Sequence, residues 1–223
     1  MSDLMKLDVV DTDGAIREAE EAVAGDSRAD FFRKAALGGA ATIGGATLLG
    51  GFPALAMGKP STKQDIEILN YALTLEYLEN EFYKAAIKSG VIKTPGVLAT
   101  AKLVQADEAA HVAALPATIK KLGGKAVKKP KFDFSKAIGT EKAFLDTAVV
   151  LEDTGVAAYA GQGPRLKTKA VVVAALGIHS VEARHASALR VLAGKKPVIS
   201  PVDKPKSMKT VLAAVKKTGF IKS

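Results

Sequence analysis

The chain contains no cysteine. Disulfides, thiolate metal sites and cysteine-ligated iron–sulfur or rubredoxin-type centres are therefore excluded, and any redox chemistry must use oxygen and nitrogen ligands. Aromatic residues make up only 5% of the sequence, too few to interleave with its scattered lysines as stacking platforms, so no specific nucleic-acid binding is expected. Histidine is scarce too, with three in 223 residues. Alanine and leucine are abundant, which favours helices. At 48% hydrophobic the chain can bury one sizeable core, so an all-α domain with an appendage is the expectation.

The net charge of +9 is unevenly spread. Residues 1–56 carry 5 of the 32 basic and 9 of the 23 acidic side chains, which leaves 27 against 14, or +13, for the rest. A basic body of this kind fits an anionic membrane or cell-envelope surface as neighbour, and it equally fits solubility alone.

The amino-terminal part reads as an address or an anchor. An acidic segment, Asp11 to Asp26, is predicted to form a short helix ahead of "SRADFFRK" at Ser27 to Lys34. An uncharged Gly- and Ala-rich run follows from Ala35 to Gly58, and Ala54 and Ala56 place small residues where a signal peptidase cuts before Met57. "SRADFFRK" resembles a twin-arginine export signal, with Ala29 where the second arginine belongs. An uncleaved small-residue membrane anchor and a buried helix are the other readings of the run. Export to the periplasm or cell envelope is the expected localisation, and the expected layout is a signal or anchor region over 1–56, a bundle over 57–196 and a tail over 197–223.

Beyond Pro60 the pattern is helical almost throughout. The first helix is predicted from Ser61 or Thr62 to Gly90, with Ile66, Leu69, Leu73 and Tyr77 at helical spacing. The second runs from Pro95 to Gly123, with a kink expected at Pro116. The third spans Thr140 to Tyr159 and stops at "GQGP"; the fourth spans Lys167 to Leu192 and stops at Gly194. The connection from Gly124 to Gly139 is far longer than those on either side. Short, long, short is the pattern of a four-helix bundle with one crossover. A short helix, "SMKTVLAAVKK", follows in the tail.

The carboxylates and histidines fall in register on these helices. Glu76 precedes Tyr83 by seven residues on the first helix, and Glu152 precedes Tyr159 by seven on the third, so each pair shares a face. The second helix carries Glu108 and His111, the fourth Glu182 and His185, each pair three apart and side by side. Glu76 to Glu108 is 32 residues and Glu152 to Glu182 is 30, so the chain reads as two helical hairpins in a pseudo-repeat. One glutamate from each of two helices and a Glu-x-x-His from each of the other two is the ligand set of a carboxylate-bridged dinuclear centre. Four carboxylates balance two divalent ions; buried without cations they would repel one another and take up protons. Glu79 and His179, each one turn from a ligand position, are candidates for supporting roles. Asp107, Asp153 and Arg184 point off the ligand face and read as surface or salt-bridge residues.

Through "LTLEYLENEFY", "DEAAHVAAL", "VLEDTGVAAY" and "SVEARHASAL", residues 62–193 resemble the ferritin-like superfamily, specifically bacterial ferritin-like-domain proteins of the desiccation-related type. The resemblance implies that Glu108 and Glu182 bridge two ions, Glu76 and Glu152 cap them, and Tyr83 and Tyr159 stand beside the centre. The donor set suits two Fe or Mn ions. Peroxide, dioxygen or ferrous iron are the implied substrates, through ferroxidase, peroxidase or peroxide-disproportionating activity in oxidative or desiccation stress. The opposing expectation is a noncatalytic stress or envelope-binding protein that keeps the bundle for stability. Oligomerisation is compatible with either.

Overall fold

In the computed structural model residues 62–222 are described; the predicted signal or anchor and the acidic segment before it lie outside them. Four long helices make the bundle: α1 Thr62–Ser89, α2 Pro95–Lys121, α3 Glu141–Gln162 and α4 Lys169–Leu192. A shorter helix, α5, covers Met208–Thr218. The fold is the all-α bundle expected from sequence. α1 pairs mainly with α2 and α3 with α4, and the two hairpins meet through α1 against α3 and α2 against α4. No helix among the described residues is long and apolar enough to cross a membrane.

The helix ends follow from local chemistry. Pro95 occupies the first turn of α2, where a missing N–H costs nothing. Thr140 caps α3 by accepting from the Ala143 N–H, and Gly90, at φ +67°, adopts the left-handed conformation that closes α1. α2 continues unbroken past Pro116 to Lys121. α3 runs three residues beyond the predicted stop at Tyr159, before a 3-10 turn at Gly163–Arg165. Gly161 does not end the helix; it admits another part of the chain. A Cβ there would lie 1.9 Å from the Lys206 carbonyl oxygen, and the Lys206 N–H donates to the Ala157 carbonyl at 2.9 Å.

The crossover between α2 and α3 contains β1, Lys131–Phe132, which pairs antiparallel with β2, Ile221–Lys222, near the carboxyl terminus. Aromatics are few but concentrated at this end of the bundle. Phe82 stacks on Phe144 and meets Tyr83 and Phe134 edge-on, each at 5.5 Å between ring centroids. Val211 and Val215 of α5 complete the same apolar cluster. A second cluster, around Leu69, Leu73, Leu115, Ile119 and Val171, fills the opposite end. Between the two, halfway along all four long helices, the interior is polar: Glu76, Glu108, Glu152 and Glu182 are all fully buried.

Candidate metal centre

Each of the four helices delivers a fully buried glutamate from near its middle. The structure brings Glu76, Glu108, His111, Glu152, Glu182 and His185 into two overlapping sets of ligand atoms. Glu76, Glu108, His111 and Glu182 form one; Glu108, Glu152, Glu182 and His185 form the other, all atoms of a set lying within 4.8 Å of one another. The two imidazoles face each other with ring centroids 6.5 Å apart, and both present Nδ1 to the carboxylates.

Glu108 divides its oxygens between the two sides. Its Oε2 lies 3.3 Å from His111 Nδ1 and its Oε1 lies 3.1 Å from His185 Nδ1. Around His111 Nδ1 stand also Glu76 Oε2 at 3.1 Å and Glu182 Oε1 at 3.3 Å; around His185 Nδ1 stands Glu152 Oε2 at 3.3 Å. These distances are within ion-pair reach, yet Glu108 Oε1, Glu152 Oε2, both Glu182 oxygens and His185 Nδ1 lack hydrogen-bond geometry to any partner. Lone pairs that crowd together without pointing at one another aim at the space between them. Five unsatisfied buried acceptor or donor atoms in one place is the condition a bound cation relieves, and an all oxygen and nitrogen set with four carboxylates fits hard or borderline divalent ions.

The tyrosines cross between hairpins. Tyr83 on α1 donates to Glu152 Oε1 on α3 at 2.6 Å, and Tyr159 on α3 donates to Glu76 Oε1 on α1 at 2.5 Å. Each phenol occupies one oxygen of its glutamate and leaves the other for the histidine side. Burial, with the neighbouring carboxylates, raises both phenols well above their ordinary pKa, so they stay protonated donors.

The electrostatics follow from burying so many carboxylates together. Burial lifts Glu108 to about 8, against the close approach of both histidines, with the charges of Glu76 and Glu152 adding to the rise. Burial raises Glu79 and Glu182 well above the usual range, helped by repulsion among the glutamates. Glu76 moves down: burial opposes ionisation, but hydrogen bonds with His111 and Glu108 and the Tyr159 phenol outweigh it. Burial disfavours charge on His111 and His185, yet their carboxylate partners prevail and raise them to about 12 and about 11. The cluster alone therefore stores protons on its imidazoles and on part of its carboxyl set.

Outside the six, the structure separates the remaining candidates. Glu79 is buried with the cluster. His179 is not part of it and faces Asp203 at 3.8 Å. Asp153 pairs with Arg190 across the α3–α4 hairpin, and Arg184 donates to Ser180 on the surface. Asp107 is the exception to the surface reading: its Oδ2 lies 3.1 Å from His185 Nε2, and it accepts that proton to hold Nδ1 toward the glutamates.

A bundle of two pseudo-repeated hairpins with a buried carboxylate and histidine cluster at mid-height defines a ferritin-like carboxylate protein. Residues 64–195 match the family model described as the ferritin-like domain, more than half of the chain, and the protein belongs to that family. No curated protein matches the chain.

Proposed function

We propose that this is an exported di-metal protein holding two Fe or Mn ions and acting on peroxide, or on ferrous iron with dioxygen, in protection against stress. The observation that carries the reading is the division of Glu108 between His111 and His185, repeated in the sharing of Glu182 by both ligand sets. Glu76 and His111 would hold one ion, Glu152 and His185 the other, with Glu108 and Glu182 between them. Redox-active ions held by these residues would supply electron-transfer chemistry toward peroxide or dioxygen.

The residues contribute position and protection. Tyr83 and Tyr159 hold the capping carboxylates by their outer oxygens. The apolar clusters on either side keep water out. His111 has 11% of its side chain exposed against 4% for His185 and none for the glutamates, so solvent and a small oxidant would approach from the His111 side. Export is supported by the uncharged run from Ala35 to Gly58 and its Ala54 and Ala56 cleavage pattern; sequencing the mature amino terminus tests it, with Met57 expected. For the centre, metal analysis of native protein is expected to find Fe or Mn at two per chain. Unchanged metal content in the Glu108→Ala, His185→Ala double variant would overturn the assignment.

The net +13 of residues 57–223 favours a second reading, a noncatalytic protein retained on an anionic envelope surface. It predicts negligible peroxide or ferrous-iron turnover by metal-loaded protein, together with salt-sensitive binding to anionic vesicles.

A further inference from the structure

The pseudo-repeat pairs Glu76 with Glu152 and Tyr83 with Tyr159, each 76 positions apart. The same offset pairs Glu79 with Gly155. These two matched positions lie against each other in the structure. A Cβ built on Gly155 would come within 3.2 Å of Glu79 Oε1 and 3.0 Å of Glu182 Oε2. One hairpin therefore supplies an extra carboxylate where the other supplies the one residue that leaves room for it. Glycine in a helix interior is less stable than alanine, and at this position it leaves space for two oxygens.

Glu79 is 3% exposed and makes no hydrogen bond or ion pair with any described residue. Glu182 Oε2, which flanks the same point over Gly155, also lacks a hydrogen-bond partner. Two unpartnered carboxylate oxygens facing one spot in a buried interior are costly as anions unless protons or a cation neutralise them. The six-residue ligand set is symmetric under the pseudo-repeat, and Glu79 breaks that symmetry on the Glu182 side.

We propose that Glu79 is a seventh ligand residue, a carboxylate that binds metal beside Glu182 and makes the two ion positions unequal, with Gly155 as the cradle that admits it. This rests on the di-metal reading above. Coordination through Glu79 adds a fifth carboxylate to the centre, so the ion it reaches gains charge compensation that the other lacks.

The test is titration of the full chain with manganese(II) chloride, followed by calorimetry and electron paramagnetic resonance. Wild type is expected to bind two ions of different affinity. Glu79→Gln, neutral and of the same shape, is expected to weaken one ion by about tenfold or more, leave the other unchanged and alter the resonance of the bound pair. The metal-free variant should be at least as thermally stable as wild type, which separates lost coordination from a folding defect. Gly155→Ala should reproduce the same selective loss by crowding Glu79 and Glu182. Two ions bound alike by wild type and Glu79→Gln, or a parallel fall in metal-free stability and in both affinities, would overturn the seventh ligand while leaving the di-metal reading intact. No manganese bound by wild type would defeat both.

Discussion

His185 and His111 occupy matching positions in the two hairpins, but their outer nitrogens are treated differently. His185 Nε2 is held by Asp107 at 3.1 Å. The residue matching Asp107 in the other Glu-x-x-His motif is Val181, which offers His111 no acceptor. An outer carboxylate fixes the ring and increases the basicity of the ligating nitrogen, and removing such a partner typically lowers metal affinity about 10- to 100-fold. Asp107→Ala should therefore weaken one ion selectively and, because the Asp107 side chain is 44% exposed, leave folding nearly untouched. Metal titration checks this, and equal loss at both ions would contradict it. Sequence periodicity read Asp107 as a surface residue because it looks only along its own helix. The contact is to α4, 78 positions away, and no pattern within α2 encodes it.

Among the elements, α4 depends on a carboxylate from α1. Asp65, in the first turn of α1, is fully buried and accepts from the Lys167 N–H at 2.9 Å and the Thr168 N–H at 2.8 Å. These donors sit just before α4, whose capping Thr168 makes no side-chain hydrogen bond of its own. Asp65 thus fixes where α4 starts and, with it, the phase at which Glu182 and His185 face the centre. Replacing it by alanine leaves two part-buried N–H groups without their acceptor, an expected loss of about 2 kcal/mol, or roughly 4–8 °C in Tm for a domain of this size. Thermal unfolding checks the magnitude; a shift within error would show that solvent satisfies those N–H groups.

The same element shows what the sequence could and could not say. The lengths of α1 to α4 were legible from apolar spacing, Pro95 and the closing glycines, because those signals are local. The six residues of the buried cluster were legible as a set because an internal repeat makes each half vouch for the other. The pairing of β1 with β2, the Asp65 anchor and the role of Gly161 against Lys206 were not, since each depends on a contact between distant stretches. Gly161 was read as a stop because glycine after a helix usually is one; in the fold it serves close approach instead.

At the scale of the whole molecule, the stability of the bundle is tied to its proton content and, in the di-metal reading, to its metal content. Glu108 ionises near its ordinary 4.5 when unfolded and at about 8 when folded. Its contribution to stability is present below about pH 4.5 and is lost as pH rises through 8; Glu79 and Glu182 act in the same direction. The histidines, raised from 6.5 to about 12 and about 11, contribute fully below 6.5 and progressively less above it. Glu76, moved down, loses its contribution only as pH falls below the ordinary carboxylate range. From about pH 5 to about pH 8 the sign is therefore uniform: the metal-free chain becomes less stable as pH rises. In the di-metal reading, metal binding would run the other way, because the imidazoles and Glu108 would have to release protons to become ligands, so affinity would rise with pH. Stabilisation by metal grows with affinity at fixed concentration. The Tm difference between manganese-loaded and chelator-treated protein should accordingly widen across that range, with calorimetry in buffers of different ionisation enthalpy showing net proton release. A constant Tm difference, or binding without proton release, would mean that the buried carboxyl and imidazole groups exchange no protons for metal and that the core is held by its apolar ends alone.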